Sequence, residues 1–347
     1  MTTPFDRLRR PVAAPAAAAA LTLGLVAAAL QLSSPARAAS SSCADPVTSA
    51  PAGPATVSAE TTPFGKVLVV GSGAYAGCSL YMLTSDQLHA LSGAAFACSD
   101  NANVLGKPCD TILWPALLTK GDPIAGPGVN PALLRTVTRT DLPGISSAQQ
   151  VSYAGHPLYR FFLDETPGET EGANLDDPVT SPAGVWYLVN PHRGTPATGR
   201  AQLQLETAPV GSAGPEQTVL AATMNNDFSV FPNASFPVYT LSRDRGHLRD
   251  DARTHATGGE SDCQGECAVY WPPVLTSERP EAGPGVDQGA LGVIVRPDGS
   301  QQVTYHGRPV YLLNNDAYIA GITGTKSING AASDTPWGVF NTIPPLP

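Results

Sequence analysis

Apolar residues along most of this chain come in short runs that end at Gly, Pro, Asn or Asp. Thr56-Val57-Ser58-Ala59, Lys66 to Val70, Ser79 to Leu83, Leu134 to Arg139, Gln149 to Tyr153 and Gly184 to Val189 are such runs. Short runs with period-two alternation, β-branched or aromatic residues and turn residues between them predict strands. Ala154-Gly155, lying between Gln149–Tyr153 and His156–Phe161, predicts a tight hairpin, because glycine supplies the positive φ that such turns require. Helical signal is limited to Asp86 to Leu91 and to short turns at Trp114-Pro115 and Trp271-Pro272. The expected fold is mainly β. Gly71, Gly73 and Gly77 follow a strand in a G-x-G-x-x-x-G arrangement that superficially suits a dinucleotide. They run into Ser79–Leu83, which has strand and not helix character, so they predict a hairpin turn and no cofactor.

One pattern is written four times: aliphatic, Tyr, x, Leu or Phe, then Asp five residues after the Tyr. It occurs at Tyr81 with Asp86, Tyr159 with Asp164, Tyr239 with Asp244, and Tyr311 with Asp316. The second half repeats the order of the first. Gln301 to Tyr305, His306-Gly307 and Arg308 to Tyr311 reproduce the hairpin, and Gly292 to Arg296 stands for Leu134 to Arg139. Trp114 pairs with Trp271, and Trp186 with Trp337, at nearly equal offsets from the preceding Tyr. Two tandem modules are expected, residues 55–195 and 217–347, joined by a linker over 196–216. Each should hold short antiparallel strands, one helix or turn at its Trp-Pro segment, and a disulfide.

The first residues change the compartment. Arg7, Arg9 and Arg10 precede an apolar, Ala-rich and Pro-interrupted run to about Leu32, and Ala36-Arg37-Ala38 then fits a signal-peptidase site. Residues 1–38 are expected to be a signal peptide, and 39–54 a flexible lead. No second apolar run follows, so no transmembrane segment is expected in the mature chain. The net charge is −9, with only four Lys and no basic cluster. That argues against nucleic acid and anionic lipid as partners. All six Cys lie beyond residue 38, and an even number in an exported chain reads first as disulfides.

With these residues aligned, the chain resembles the bacterial secreted-repeat lipoproteins, envelope proteins of unassigned function with a Y-x-[FWY]-x-x-D motif. Val151 to Thr170, Val185 to Val189, Cys263 to Leu275 and Val303 to Tyr311 carry the resemblance. It implies paired Cys ahead of each Trp-Pro segment, here Cys98 with Cys109 and Cys263 with Cys267. Cys43 and Cys78 are left by elimination, with connectivity open. Leu replaces the aromatic in three of the four motifs. Ala39-Ser40-Ser41-Ser42 lacks the lipobox before Cys43, so a released and not a lipid-anchored protein is expected.

Each candidate for chemistry has a structural alternative. Tyr and the residue two on share a strand face. The Tyr/Asp motif is therefore read first as packing, with the phenol and carboxylate reaching hydrogen-bond partners. The alternative is a cation or polar-ligand site, with Asp164, Glu169 and Asp176 of the acidic loop as oxygen ligands for Ca²⁺. Cys263 and Cys267 are read as a disulfide; the alternative is Cu(I), with His255 or His306 as third ligand. His156 reads as a surface hairpin residue and Arg160 as solvated. The chain contains neither G-x-S-x-G nor H-E-x-x-H. The preferred reading is a non-enzymatic envelope binding or structural protein with an unknown ligand or protein partner. A metal-linked protein and a secreted hydrolase with an unrecognised site are the alternatives, and oligomeric state is open.

Overall fold

The structure is a computed structural model. It describes residues 41–86, 95–100, 103–104, 107–177, 184–211, 213–223, 235–244, 260–313, 328–330 and 333–344. The expected signal peptide, most of the expected Asp86–Leu91 helix, His255 and Asp316 lie outside them.

The fold is mainly β, in seven small sheets of at most four strands among the described residues. Thr56–Thr62 pairs antiparallel with Gly65–Val70, and its start runs parallel to Ile124–Ala125. The chain then turns through Gly71–Gly77 and comes back antiparallel: Val70 N–H bonds Cys78 O and Leu80 N–H bonds Leu68 O. The three glycines thus close a reversal of the chain and open no helix. Tyr81–Leu83 pairs with the centre of Gly184–Val189. Leu134–Arg139, Ala148–Tyr153 and His156–Pro157 form a meander.

The strand Gly184–Val189 is buried along its whole length. Its alternation divides two cores. Trp186 and Leu188 join Tyr81, Trp114, Tyr159 and Phe161, whereas Val185, Tyr187 and Val189 join Leu68, Leu80, Met82 and Leu158. A strand covered on both faces needs apolar residues at every position, which is why Gly-Val-Trp-Tyr-Leu-Val is continuous and not alternating.

The same pairings recur later in the chain. Gln202–Pro209 pairs antiparallel with Glu216–Thr223 and parallel with Glu281–Ala282. Leu291–Val295, Gln301–Tyr305 and Arg308–Pro309 form a second meander. Tyr239–Leu241 pairs with Gly338–Thr342. The stretch 196–216, expected to be a linker, therefore holds an eight-residue strand. Its Gln-Leu-Gln-Leu alternation lies between segments rich in Pro and Gly.

The expected match of Trp186 with Trp337 does not hold. Trp186 faces Leu83 across its strand pair, and the residue facing Leu241 is Phe340, three positions beyond Trp337. Trp114 stacks on Trp186 at 3.8 Å, and Trp271 stacks on Phe340 at 3.8 Å. Trp337 lies against Tyr270 instead.

Short helical turns precede both Trp-Pro segments, at Cys109–Leu113 and Glu266–Tyr270. The first is wider by one residue: Trp114 N–H bonds Cys109 O five back, and Trp271 N–H bonds Cys267 O four back. Disulfides join Cys43 to Cys78, Cys98 to Cys109 and Cys263 to Cys267. No helix of the described residues is long and apolar enough to cross a membrane.

Candidate functional site

The repeated tyrosines and aspartates come together in the core, and they do so crosswise. Tyr81 Oη–H donates to Asp164 Oδ2 at 2.7 Å, and Tyr159 Oη–H donates to Asp86 Oδ2 at 2.7 Å. Each hydroxyl thus reaches the aspartate of the other motif. In the second half Tyr311 Oη–H donates to Asp244 Oδ2, also at 2.7 Å. Tyr239 accepts from the Gly330 amide at 3.1 Å, and its motif partner Asp316 is outside the described residues.

The second carboxylate oxygen of each aspartate ties down a following loop. Asp86 accepts from Ala97 N–H, Asp164 from Glu171 N–H and Asp244 from Asp262 N–H. The chain turns after each short strand, which leaves the amides downstream without ladder partners, and the carboxylate satisfies one of them. Tyr81, Tyr159 and Asp86 are completely buried and Asp164 is 1% exposed. Burial raises the pKa of every one of these aspartates, to about 8 for Asp164 and about 6 for Asp244, against the lowering effect of the tyrosine and amide donors.

Two buried arginines, not foreseen in the sequence, sit beside these pairs: Arg139 at Tyr159–Asp86, and Arg296 at Tyr311–Asp244, which it meets through Ser261. Arg139 donates through Nη1 to Gln150 Oε1 and Tyr159 Oη, and through Nη2 to Cys98 O. It forms ion pairs with Asp110 at 2.7 Å and with Asp141 at 2.6 Å. Arg296 makes the equivalent contacts to Gln302 Oε1 and Cys263 O, and adds Ser261 Oγ and Gln264 Oε1. Gln150 and Gln302 pass the connection on, donating to Leu158 O and Val310 O. A signal did exist: Gln-Gln-Val and Arg-x-Asp each occur in both halves, at Gln149 and Gln301, and at Arg139 and Arg296.

Glycine is required where this network meets the aromatic stack. A Cβ at Gly172 would lie 2.7 Å from the Trp114 ring, and one at Gly330 would lie 2.8 Å from both Trp271 and Tyr239.

Cys263 and Cys267 are bonded to each other, so they offer no thiolate to copper. Glu169 turns its carboxylate onto Glu165 N–H, Thr166 N–H and Thr166 Oγ1, and Asp164 is committed to Tyr81 and Glu171. The Asp176 side chain is outside the described residues. Among those residues no three His, Cys, Asp or Glu side chains converge as metal ligands. Arg160 is buried, not solvated: it donates to Cys43 O and Asp45 O and lies 3.8 Å over the Tyr75 ring. Strand alternation does take Arg160 away from Tyr159, but the face it reaches is covered by the N-terminal segment that the Cys43–Cys78 bond holds there. His156 is half-buried, and its Nδ1 is enclosed with no hydrogen-bond partner. Burial lowers its pKa to about 4, so the ring is neutral near pH 7.

Residues 147–189 match the model of a family described as a secreted repeat of unknown function. The matched stretch holds the hairpin at Ala154-Gly155, the Tyr159–Asp164 motif, Gly172 and Trp186. No curated protein and no solved structure matches the chain.

Proposed function

We propose that the chain is a non-enzymatic, exported protein of the bacterial cell envelope, built from two copies of one disulfide-stapled β module. In this reading residues 1–38 are removed as a signal peptide, and the mature protein is released without a lipid anchor. The second copy begins near Ala201, and the Tyr/Asp motif clamps the two half-modules of each copy together. The observation that carries the reading is the crossed hydrogen bonding of Tyr81 with Asp164 and Tyr159 with Asp86. A carboxylate that is 1% exposed, with one oxygen on a phenol and the other on an amide, has no face left for a substrate. Three disulfides and no free cysteine among the described residues suit an oxidising compartment.

The motif's role is tested by melting. Tyr81→Phe leaves Asp164 with one donor fewer in a dry site and is expected to lose about 1–3 kcal/mol. An unchanged unfolding midpoint would overturn the clamp. Mass measurement of the chain recovered from culture medium tests export; a mature N-terminus near Ala39 is expected.

A further inference from the structure

A cleft of about 430 Å³ opens where residues of the two halves meet, and it is lined in part by His156, Arg193, Gln264, Ala268, Arg296 and Asp298. Its character follows from what the second half has lost. Arg139 is neutralised by two carboxylates: Asp110, which follows the disulfide cysteine Cys109, and Asp141, which forks onto Nε and Nη2. The residue following Cys267 is Ala268. Asp298 repeats the Arg-x-Asp spacing, but its Oδ1 accepts from Ser300 N–H and Oγ–H instead. Arg296 is 5% exposed; among the described residues all four of its hydrogen-bond acceptors are neutral and its Nε–H has no partner.

Among the described residues the carboxylates of Asp298 and Asp244 act on Arg296 only from a distance, without a hydrogen bond. A guanidinium taken out of water without a directly paired counter-charge is costly, and a carboxylate is the partner whose planar geometry suits it. The cleft also holds the exposed Arg193, whose one side-chain hydrogen bond among the described residues is a 3.3 Å contact to Gly299 O, and the neutral His156, whose Nδ1 has no partner among them. Two cations against one carboxylate make it a positive recess in a chain of net charge −9.

We propose that this cleft binds a small ligand through a carboxylate held against Arg296 and Arg193, in the role that Asp110 and Asp141 play for Arg139. The proposal rests on the two-copy, non-enzymatic binding reading above. Two sources share this chemistry: a free organic acid and the C-terminal carboxylate of a peptide.

Calorimetric titration of the exported chain with succinate, trialanine and trialanine amide separates them. Binding of succinate alone identifies a free acid, and binding of trialanine with loss in its amide identifies a chain terminus; either result supports the site. Ala268→Asp supplies the missing carboxylate from the protein itself. It is expected to weaken the bound probe at least about tenfold and to raise the melting temperature, as a newly paired buried charge should. Arg193→Gln, at an exposed position, is expected to weaken binding several-fold with an unchanged melt, and it serves as the control should Ala268→Asp fail to fold. Absence of binding by both acids up to about 10 mM, equal binding of trialanine and its amide, or undiminished binding in both variants would overturn the proposal. A negative titration beside a lowered Tyr81→Phe melt removes the ligand site and leaves the clamp standing.

Discussion

The two arginine centres are built on the same plan and differ in how their charge is met. Around Arg139 the chain closes the account internally, with Asp110 and Asp141 both within 2.7 Å and the Phe96 ring 3.9 Å from the guanidinium. Around Arg296 the same two backbone and glutamine contacts persist, and uncharged oxygens replace both carboxylates. What the two centres share is the tie from a strand to the disulfide-bearing loop, Arg139 to Cys98 O and Arg296 to Cys263 O. The variable part is the charge. A fold can keep a buried cation as a positioning device while changing what neutralises it, and the change leaves one centre closed and the other open to a cleft.

The most direct way to break this comparison is to remove the cations. Arg139→Met leaves Asp110 and Asp141 without their partner, and breaking a buried pair in this way is expected to lose about 3–5 kcal/mol. Arg296→Met strands only neutral acceptors, some of which can turn to water at the cleft, and should lose less, about 1–3 kcal/mol. Urea denaturation of both variants decides it. Equal losses would mean that the carboxylates around Arg139 contribute nothing beyond ordinary hydrogen bonds.

The disulfides sharpen the same contrast at somewhat smaller cost. Cys98–Cys109 closes a separation of 11 residues and Cys263–Cys267 one of only 4, so the second restrains the unfolded chain less. Chain-entropy reasoning gives about 3 kcal/mol for removing the first and about 2 kcal/mol for the second. Double Cys→Ala variants compared by unfolding midpoint test the order. A larger loss at Cys263–Cys267 would show that its short loop, which presents Cys263 O and Gln264 to Arg296, depends on the bond for its shape.

Much of this was legible in the sequence because it is local. Period-two runs and Gly-containing turns specify strands and hairpins within a few residues, and the tight turn at Ala154-Gly155 is of that kind. The crossed pairing was not legible, because Tyr81 and Asp164 are 83 residues apart and Tyr159 and Asp86 are 73 apart. Nothing nearby says that a tyrosine bonds the other motif's aspartate. Arg139 and Arg160 were hidden by the ordinary expectation that arginine stays in water, which fails when loops held by disulfides cover both ends of a meander. Trp337 misled for a different reason. Indole identity at a matching offset outweighed strand register, whereas the register selects a large flat ring facing Leu241, and Phe340 supplies it.

The aspartates make the halves differ in pH response. Asp164 has its folded-state pKa raised to about 8 and Asp244 to about 6, both above the unfolded value near 4. The folded state therefore binds protons more tightly, so the stabilisation is complete below about pH 4 and is lost as pH rises through each folded-state value. For Asp244 the loss falls between about pH 4 and 6, and for Asp164 it extends to about pH 8. The melting temperature is expected to fall from pH 5 to pH 8; Asp110, raised to about 7, and the raised Asp86 share that fall, so Asp164→Asn should reduce chiefly the part above pH 7, while Asp244→Asn removes little above pH 6.5 or so. A flat profile in the unmodified chain would contradict the proton uptake on folding.

The smallest test lies in the paired hairpins. Ala154 and Gly155 have φ of 51° and 87°, and His306 and Gly307 have 47° and 76°. Both turns thus place a residue with a Cβ in the left-handed region, where the methylene or methyl crowds the following carbonyl. Ala154→Gly removes that crowding and loses little packing, since Ala154 is exposed and the residue beside its methyl is Gly194, which has no side chain. It also gives the unfolded chain more freedom, which opposes the gain. A net gain of about 0.5 kcal/mol is expected. His306→Gly relieves the same crowding but gives up an edge contact to the Tyr305 ring at 4.5 Å, and should come out near zero or slightly unfavourable. Unfolding midpoints of the two variants decide it. If both gain equally, the imidazole contributes nothing to its turn, and the two hairpins are energetically interchangeable although the arginine centres beside them are not.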